Sequence, residues 1–185
     1  LVNASYGDHS EYQRDDVTIL QAKLERMKLT MLEGVVSGLT RGENESSPGT
    51  VDIAGATYEN RGGVTGEMLG YAVTAFVTRE GRPELRVAIK DARENRTLEI
   101  VSRDLQTISL KGIAYDNGSK LEEIYFPEPL VVVKNGGILS SQTDEDMMPV
   151  NGSVVLVDNN RDHKYEYVHV LSKEYFSIDR ISLEN

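Results

Sequence analysis

The chain is predicted to be mainly β: a small barrel or rolled sheet of OB- or SH3-like size, a second part rich in β-hairpins, and one short N-terminal amphipathic helix. Three observations carry this expectation. Short segments rich in Val, Ile, Thr and Tyr recur at 71–77, 84–89, 97–101, 130–133, 154–157 and 165–171. Turn chemistry separates many of them, as in Arg79–Pro83, Asp116-Asn-Gly-Ser119 and Asn135-Gly-Gly137. One stretch, 15–28, instead repeats its apolar residues at helical spacing.

Residues 1–14 are polar and aperiodic and read as an arm that orders against a partner. Asp15 or Asp16 can cap a helix through residue 28, with Val17, Leu20, Leu24 and Met27 on one face and Lys23, Glu25, Arg26 and Lys28 on the others. That stripe serves either core packing or docking onto a neighbouring subunit. Leu29 to Leu39 follows as a strand, with Gly34 and Gly38 at bulges or bends. Arg41 to Thr50 is a polar loop, and Val51 to Tyr58 reads as one strand. A glycine-bearing loop, Glu59 to Leu69, precedes the strands at 71–77, 84–89 and 97–101, so that 29–103 forms the barrel-like part. Residues 104–185 form the hairpin part. Ile108–Tyr115 and Leu121–Phe126 pair through the Asn117-Gly118 turn, and Leu130 to Gly137 is a strand with its turn. An acidic loop follows with Asp144, Glu145 and Asp146; then comes a hairpin over 154–170 and a last strand near Glu174 to Leu183.

Composition narrows the function. The 185 residues carry 30 acidic and 20 basic side chains, a net charge of −10. Phosphate backbones and anionic bilayers need clustered positive charge, so nucleic acid and membrane insertion are not expected. The chain has no cysteine, which excludes disulfides and thiolate metal sites. Asn3, Asn44, Asn95, Asn117 and Asn151 begin Asn-x-Ser/Thr sequons, read here mainly as products of polar turn sequence. Histidine is confined to His9, His163 and His169, and no serine-hydrolase, zinc-protease or phosphate-loop motif is present, so no catalytic residues are assigned and no enzyme is expected. Tyr165, Tyr167 and His169 alternate along one strand and are expected on a half-exposed face.

The most specific segment is Gly152 to Val170: strand, acidic loop, strand. Asp158, Asn160, Asp162 and Glu166 stand at positions 1, 3, 5 and 9 of the loop, a spacing that can aim side-chain oxygens at one hard cation, with the Lys164 carbonyl as a further ligand. The segment resembles the Asp-x-Asp-x-Asp-Gly-x-x-Asp calcium hairpin of large secreted β-proteins. More narrowly, it resembles the "IDNDGDGKYD" module of Gram-positive surface proteins and bacteriophage virion proteins. Weaker motifs, among them the Tyr-Asp-Asn-Gly of 115–118 and the Lys-Asn-Gly of 134–136, extend the likeness over roughly 34–183. Arg161 and His163 replace that module's glycines, and Asn160 and Glu166 replace aspartates. The loop is therefore either a weak calcium site or an ordinary polar hairpin.

The resemblance implies a non-enzymatic structural or assembly module of a large extracellular complex. A phage virion component (tail, neck or capsid-associated) is expected ahead of a bacterial cell-surface protein. Its partners would be other protein subunits, in a homo-oligomer or repeated copies. The alternative is an adhesion or carbohydrate-binding module with Tyr165, Tyr167 and Tyr175 as its aromatic platform.

Overall fold

The computed structural model describes residues 19–42, 48–78 and 85–173. The polar arm, the Asp15/Asp16 cap, Val17, the Arg79–Pro83 turn and the last expected strand with Tyr175 lie outside them. The described chain is mainly β, as its sequence predicts. A helix, α1, occupies 19–26. Thirteen strands follow among the described residues: β1 (Leu29–Leu39), β2 (Gly49–Ile53), β3 (Ala56–Asn60), β4 (Ala72–Thr78), β5 (Leu85–Ile89), β6 (Arg96–Val101), β7 (Leu105–Ser109), β8 (Gly112–Asp116), β9 (Leu121–Tyr125), β10 (Val131–Lys134), β11 (Gly137–Ile138), β12 (Ser153–Asp158) and β13 (Tyr167–Leu171).

The first sheet has the order β3-β2-β1-β4-β5. Its long strand β1 serves two neighbours: Leu29 to Val35 pair with β4, and Val36 to Leu39 pair with β2. The register shifts between Val36 and Gly38, the bend expected of this glycine-bearing strand. Gly34 is required by proximity, because a Cβ there would stand 2.7 Å from the Cβ of Ala54. The sheet is bent and does not close into a barrel.

Three segments differ from their sequence reading. Val51 to Tyr58 is a tight hairpin rather than one strand: Ala54 and Gly55 both take positive φ, 54° and 76°, the pattern of a two-residue turn between β2 and β3. Ala54 hid this turn, because that first position favours Asn, Asp or Gly and alanine seldom takes it. The expected strand 108–115 is divided by the turn at Leu110 and Lys111, so β7, β8 and β9 form a three-stranded meander rather than one hairpin. Strand β6 pairs along its length with β12, from Arg96↔Asp158 to Val101↔Ser153, and so joins the second sheet.

That second sheet, β11-β10-β13-β12-β6, is the middle layer. One face gives Val132, Val154, Leu156, Val168 and Val170 to a core shared with Ile113, Ile124 and Tyr115 of the meander. The other face gives Val133 and Val131 to the core of the first sheet, with Val36, Val51, Ile53, Leu69 and Val73. Burial on both faces explains why β12 reads Ser-Val-Val-Leu-Val-Asp without alternation. It also permits the parallel pairing of β10 with β13.

Candidate metal hairpin

The loop between β12 and β13 begins at Asp158, whose side chain is fully buried at the strand end. Its Oδ1 accepts the Asn160 N–H at 3.4 Å, and its Oδ2 accepts the His163 N–H at 3.1 Å. The pattern then repeats. Asn160 Oδ1 accepts the Asp162 N–H, and Asp162 Oδ1 accepts the Lys164 N–H, each at 2.9 Å. Three successive side-chain turns of this kind wind the backbone around the polar side chains. Arg161 and His163 sit at φ 62° and 67°, the left-handed region. That region favours glycine, so both residues hold their backbone path despite the cost of a Cβ there.

Glu166 stands at the loop's far end. Its Oε2 is buried and has no hydrogen-bond partner. Burial pushes its carboxyl pKa up, and the nearby Asp162 and Asp158 carboxylates push it further. An orphaned carboxylate oxygen in the field of two other carboxylates is a charge excess that a divalent cation would relieve. The Lys164 ammonium, 4.0 Å from Asp162 Oδ2, supplies only an exposed positive charge. Donor type and loop path thus fit calcium, with Asp158, Asn160, Asp162, Glu166 and the Lys164 carbonyl as the residues that would hold it. The side chains themselves are not gathered: among the described residues, no group of three or more His, Asp or Glu side chains is placed to hold a metal ion.

Two contacts that the sequence did not reveal fix this loop in the fold. Arg96 donates to His163 Nδ1 at 2.6 Å, across the β6–β12 pairing. An arginine can only donate, so His163 accepts through Nδ1. Asn159 Nδ2 donates to the Gly70 carbonyl at 2.9 Å and so ties the loop to the turn before β4. Both depend on strand pairings between distant segments, which local periodicity does not carry.

The remaining candidates separate. The Tyr165, Tyr167 and His169 stripe is not a half-exposed face. Tyr165 is buried with Val168 and Val170, because the loop interrupts the alternation before β13 begins. Tyr167 covers Gly70, whose positive φ of 80° and missing Cβ let the ring approach. His169 is buried against Leu69 and Tyr71. The acidic triplet is engaged elsewhere. Asp144 accepts the Leu110 N–H at 2.8 Å, and Asp146 caps its own turn through Thr143 and faces Lys134 at 3.4 Å. These hydrogen bonds lower the Asp146 pKa. Asn95, one of the sequons, is buried with its amide fully used, as a structural tie between β4 and the turn before β6.

No protein-family model, no curated protein and no solved structure matches this chain at a significant level. No helix among the described residues is long and apolar enough to cross a membrane.

Proposed function

We propose that the chain is a non-enzymatic structural and assembly module of a large extracellular complex, and that its home is a bacteriophage virion, present there in repeated copies among other protein subunits. The observation that supports this reading is the apolar surface of α1 and the turn after it. Ile19, Leu20 and Met27 are 53%, 42% and 65% exposed, and Leu24 is only half-buried. Among the described residues the stripe joins neither hydrophobic core. An isolated helix of this length is marginal in water, so a lasting α1 needs cover from another chain. The loop path supports the same reading, since this hairpin is the segment whose sequence resembles surface and virion modules.

Calcium belongs to the proposal as a structural ion. It would neutralise Asp158, Asp162 and Glu166 and tie the ends of β12 and β13 together. With an amide at Asn160 and two strained turn positions, binding falls toward dissociation constants of about 0.1–1 mM, the extracellular range.

The test is incorporation into the native particle. Leu20→Asp combined with Met27→Asp is expected to abolish incorporation while leaving the unfolding midpoint of the isolated chain unchanged, because both side chains are exposed there. Normal incorporation of the double variant would refute the docking role.

A further inference from the structure

The meander β7-β8-β9 buries one face and leaves the other open. Inward go Leu105, Ile108, Ile113, Tyr115 and Ile124. Outward, the register places three residues in each row: Ser109, Gly112 and Tyr125 in one, Thr107, Ala114 and Glu123 in the next. The central strand contributes only Gly and Ala, while the flanking strands contribute larger side chains. The result is a trough of about 250 Å³ along β8, floored by Gly112 and Ala114. One wall is Tyr125 and Glu123; the other is Thr107 and Ser109.

Tyr125 is 79% exposed, the largest exposure among the described large apolar and aromatic side chains. Its hydroxyl donates to Glu123 Oε2 at 3.2 Å. That bond leaves the other carboxylate oxygen of Glu123 available as an acceptor beside the ring. Lys111 stands in the turn at the end of the trough.

We propose that this trough is a saccharide-binding site, with one sugar ring packed on Tyr125. A pyranose offers a flat face of polarised C–H groups, which suits the electron-rich face of an aromatic ring. Its hydroxyls radiate from the rim of that ring and need both acceptors and donors. Glu123 supplies acceptors, Thr107 and Ser109 supply hydroxyls that do either, and Lys111 supplies a donor. A floor without side chains lets the ring lie down between the walls. Other ligand classes fit less well. Peptides recognised by sheets pair with an edge strand, here β7 or β9, and would not lie in the trough over β8, whose backbone groups are already used. Nucleic acid is opposed by Glu123, by Asp116 on the same face and by the net charge of −10. This site goes beyond the assembly role and does not depend on it. It also differs from the aromatic set Tyr165, Tyr167 and Tyr175 that the sequence suggested; the alternation of Leu121, Glu123 and Tyr125 in β9 was the signal that could have found it.

The test uses the full 185-residue chain on an array of glucose, N-acetylglucosamine, galactose and mannose oligosaccharides. Binding to at least one of them is expected, with amide shift changes during titration confined to residues 105–125. Tyr125→Ala should weaken it about tenfold or more, Tyr125→Phe only slightly, and Glu123→Gln by an intermediate factor. Circular dichroism of each variant should match the parent, since these side chains are exposed. Absence of binding across the array, binding untouched by Tyr125→Ala, or shift changes mapping outside the meander would each overturn the proposal.

Discussion

His169 Nε2 lies 2.8 Å from the carbonyl oxygen of Leu69, joining the middle layer to the first sheet across 100 residues of sequence. A neutral imidazole donating through Nε2 satisfies that carbonyl. Burial lowers the His169 pKa, against the opposing pull of the Leu69 hydrogen bond and of Glu67. The tilted Tyr71 ring, 6.0 Å away centroid to centroid, helps to exclude water.

This relationship sets a pH dependence. Unfolded, His169 titrates near 6.5; folded, it titrates lower. The unfolded chain therefore takes up the proton first as pH falls, and stability present above about 6.5 is lost progressively below it. Urea midpoints at pH 7.5, 6.5 and 5.5 should fall in the parent. His169→Gln, whose amide can still donate to Leu69, should flatten that fall while costing about 1–2 kcal/mol at pH 7.5. Parallel pH profiles for parent and variant would show that His169 does not set the slope.

Asn95 makes the second test. Its Oδ1 accepts the Ala72 N–H at 2.8 Å, and its Nδ2 donates to the carbonyls of Ala72 at 2.9 Å and Lys90 at 3.0 Å. Asn95→Ala strands buried backbone groups and should cost about 2–3 kcal/mol, or about 5–10 °C in Tm. Asn95→Asp should be at least as damaging, because a carboxylate would face two carbonyl oxygens. A change within about 0.5 kcal/mol for both variants, the range of an ordinary surface substitution, would refute the tie.

Glu166 should show a sign reversal. Its raised pKa means that the folded form holds the proton above the unfolded value, so ionised Glu166 opposes folding at neutral pH and that cost is relieved as pH falls. In chelator at pH 7, Glu166→Gln is expected to raise the Tm slightly, because it removes the ionised carboxyl that burial disfavours. In 10-fold excess calcium over the dissociation constant, the parent should gain about 1.4 kcal/mol by mass action. The variant should gain much less, so their order reverses. Calcium that leaves the parent midpoint unmoved would make the loop a plain hairpin.

The sequence revealed the β class, most strand positions and the loop path, because these are written locally. Val and Ile density marks the strands, Asn135-Gly136 marks a turn whose φ values of 47° and 82° are as that dipeptide prefers, and the Asp-x-Asn-x-Asp spacing marks the wound loop. What it did not reveal was non-local. Nothing near Arg96 says that β6 leaves its neighbours in sequence for β12, and nothing near Val131 announces a parallel partner in β13. The Tyr165 misassignment has the same root: alternation holds only within a strand, and the strand starts at Tyr167. The helix stripe was legible, but its exposure was not, because that depends on what the rest of the fold packs against it. Leu20 and Met27 remain exposed.

The pairing of β6 with β12 also bears on biosynthesis. Val101 leaves the ribosome about 50 residues before Ser153, which at 5–20 residues per second is roughly 3–10 s. During that interval Leu98 and Ile100 have no partner strand, and the edge they present is open to a second nascent chain. Arg96 and Glu99, set among those apolar residues, are the charges that discourage such pairing. Slower elongation between Ser102 and Gly152 would lengthen this exposure and should lower the yield of soluble chain.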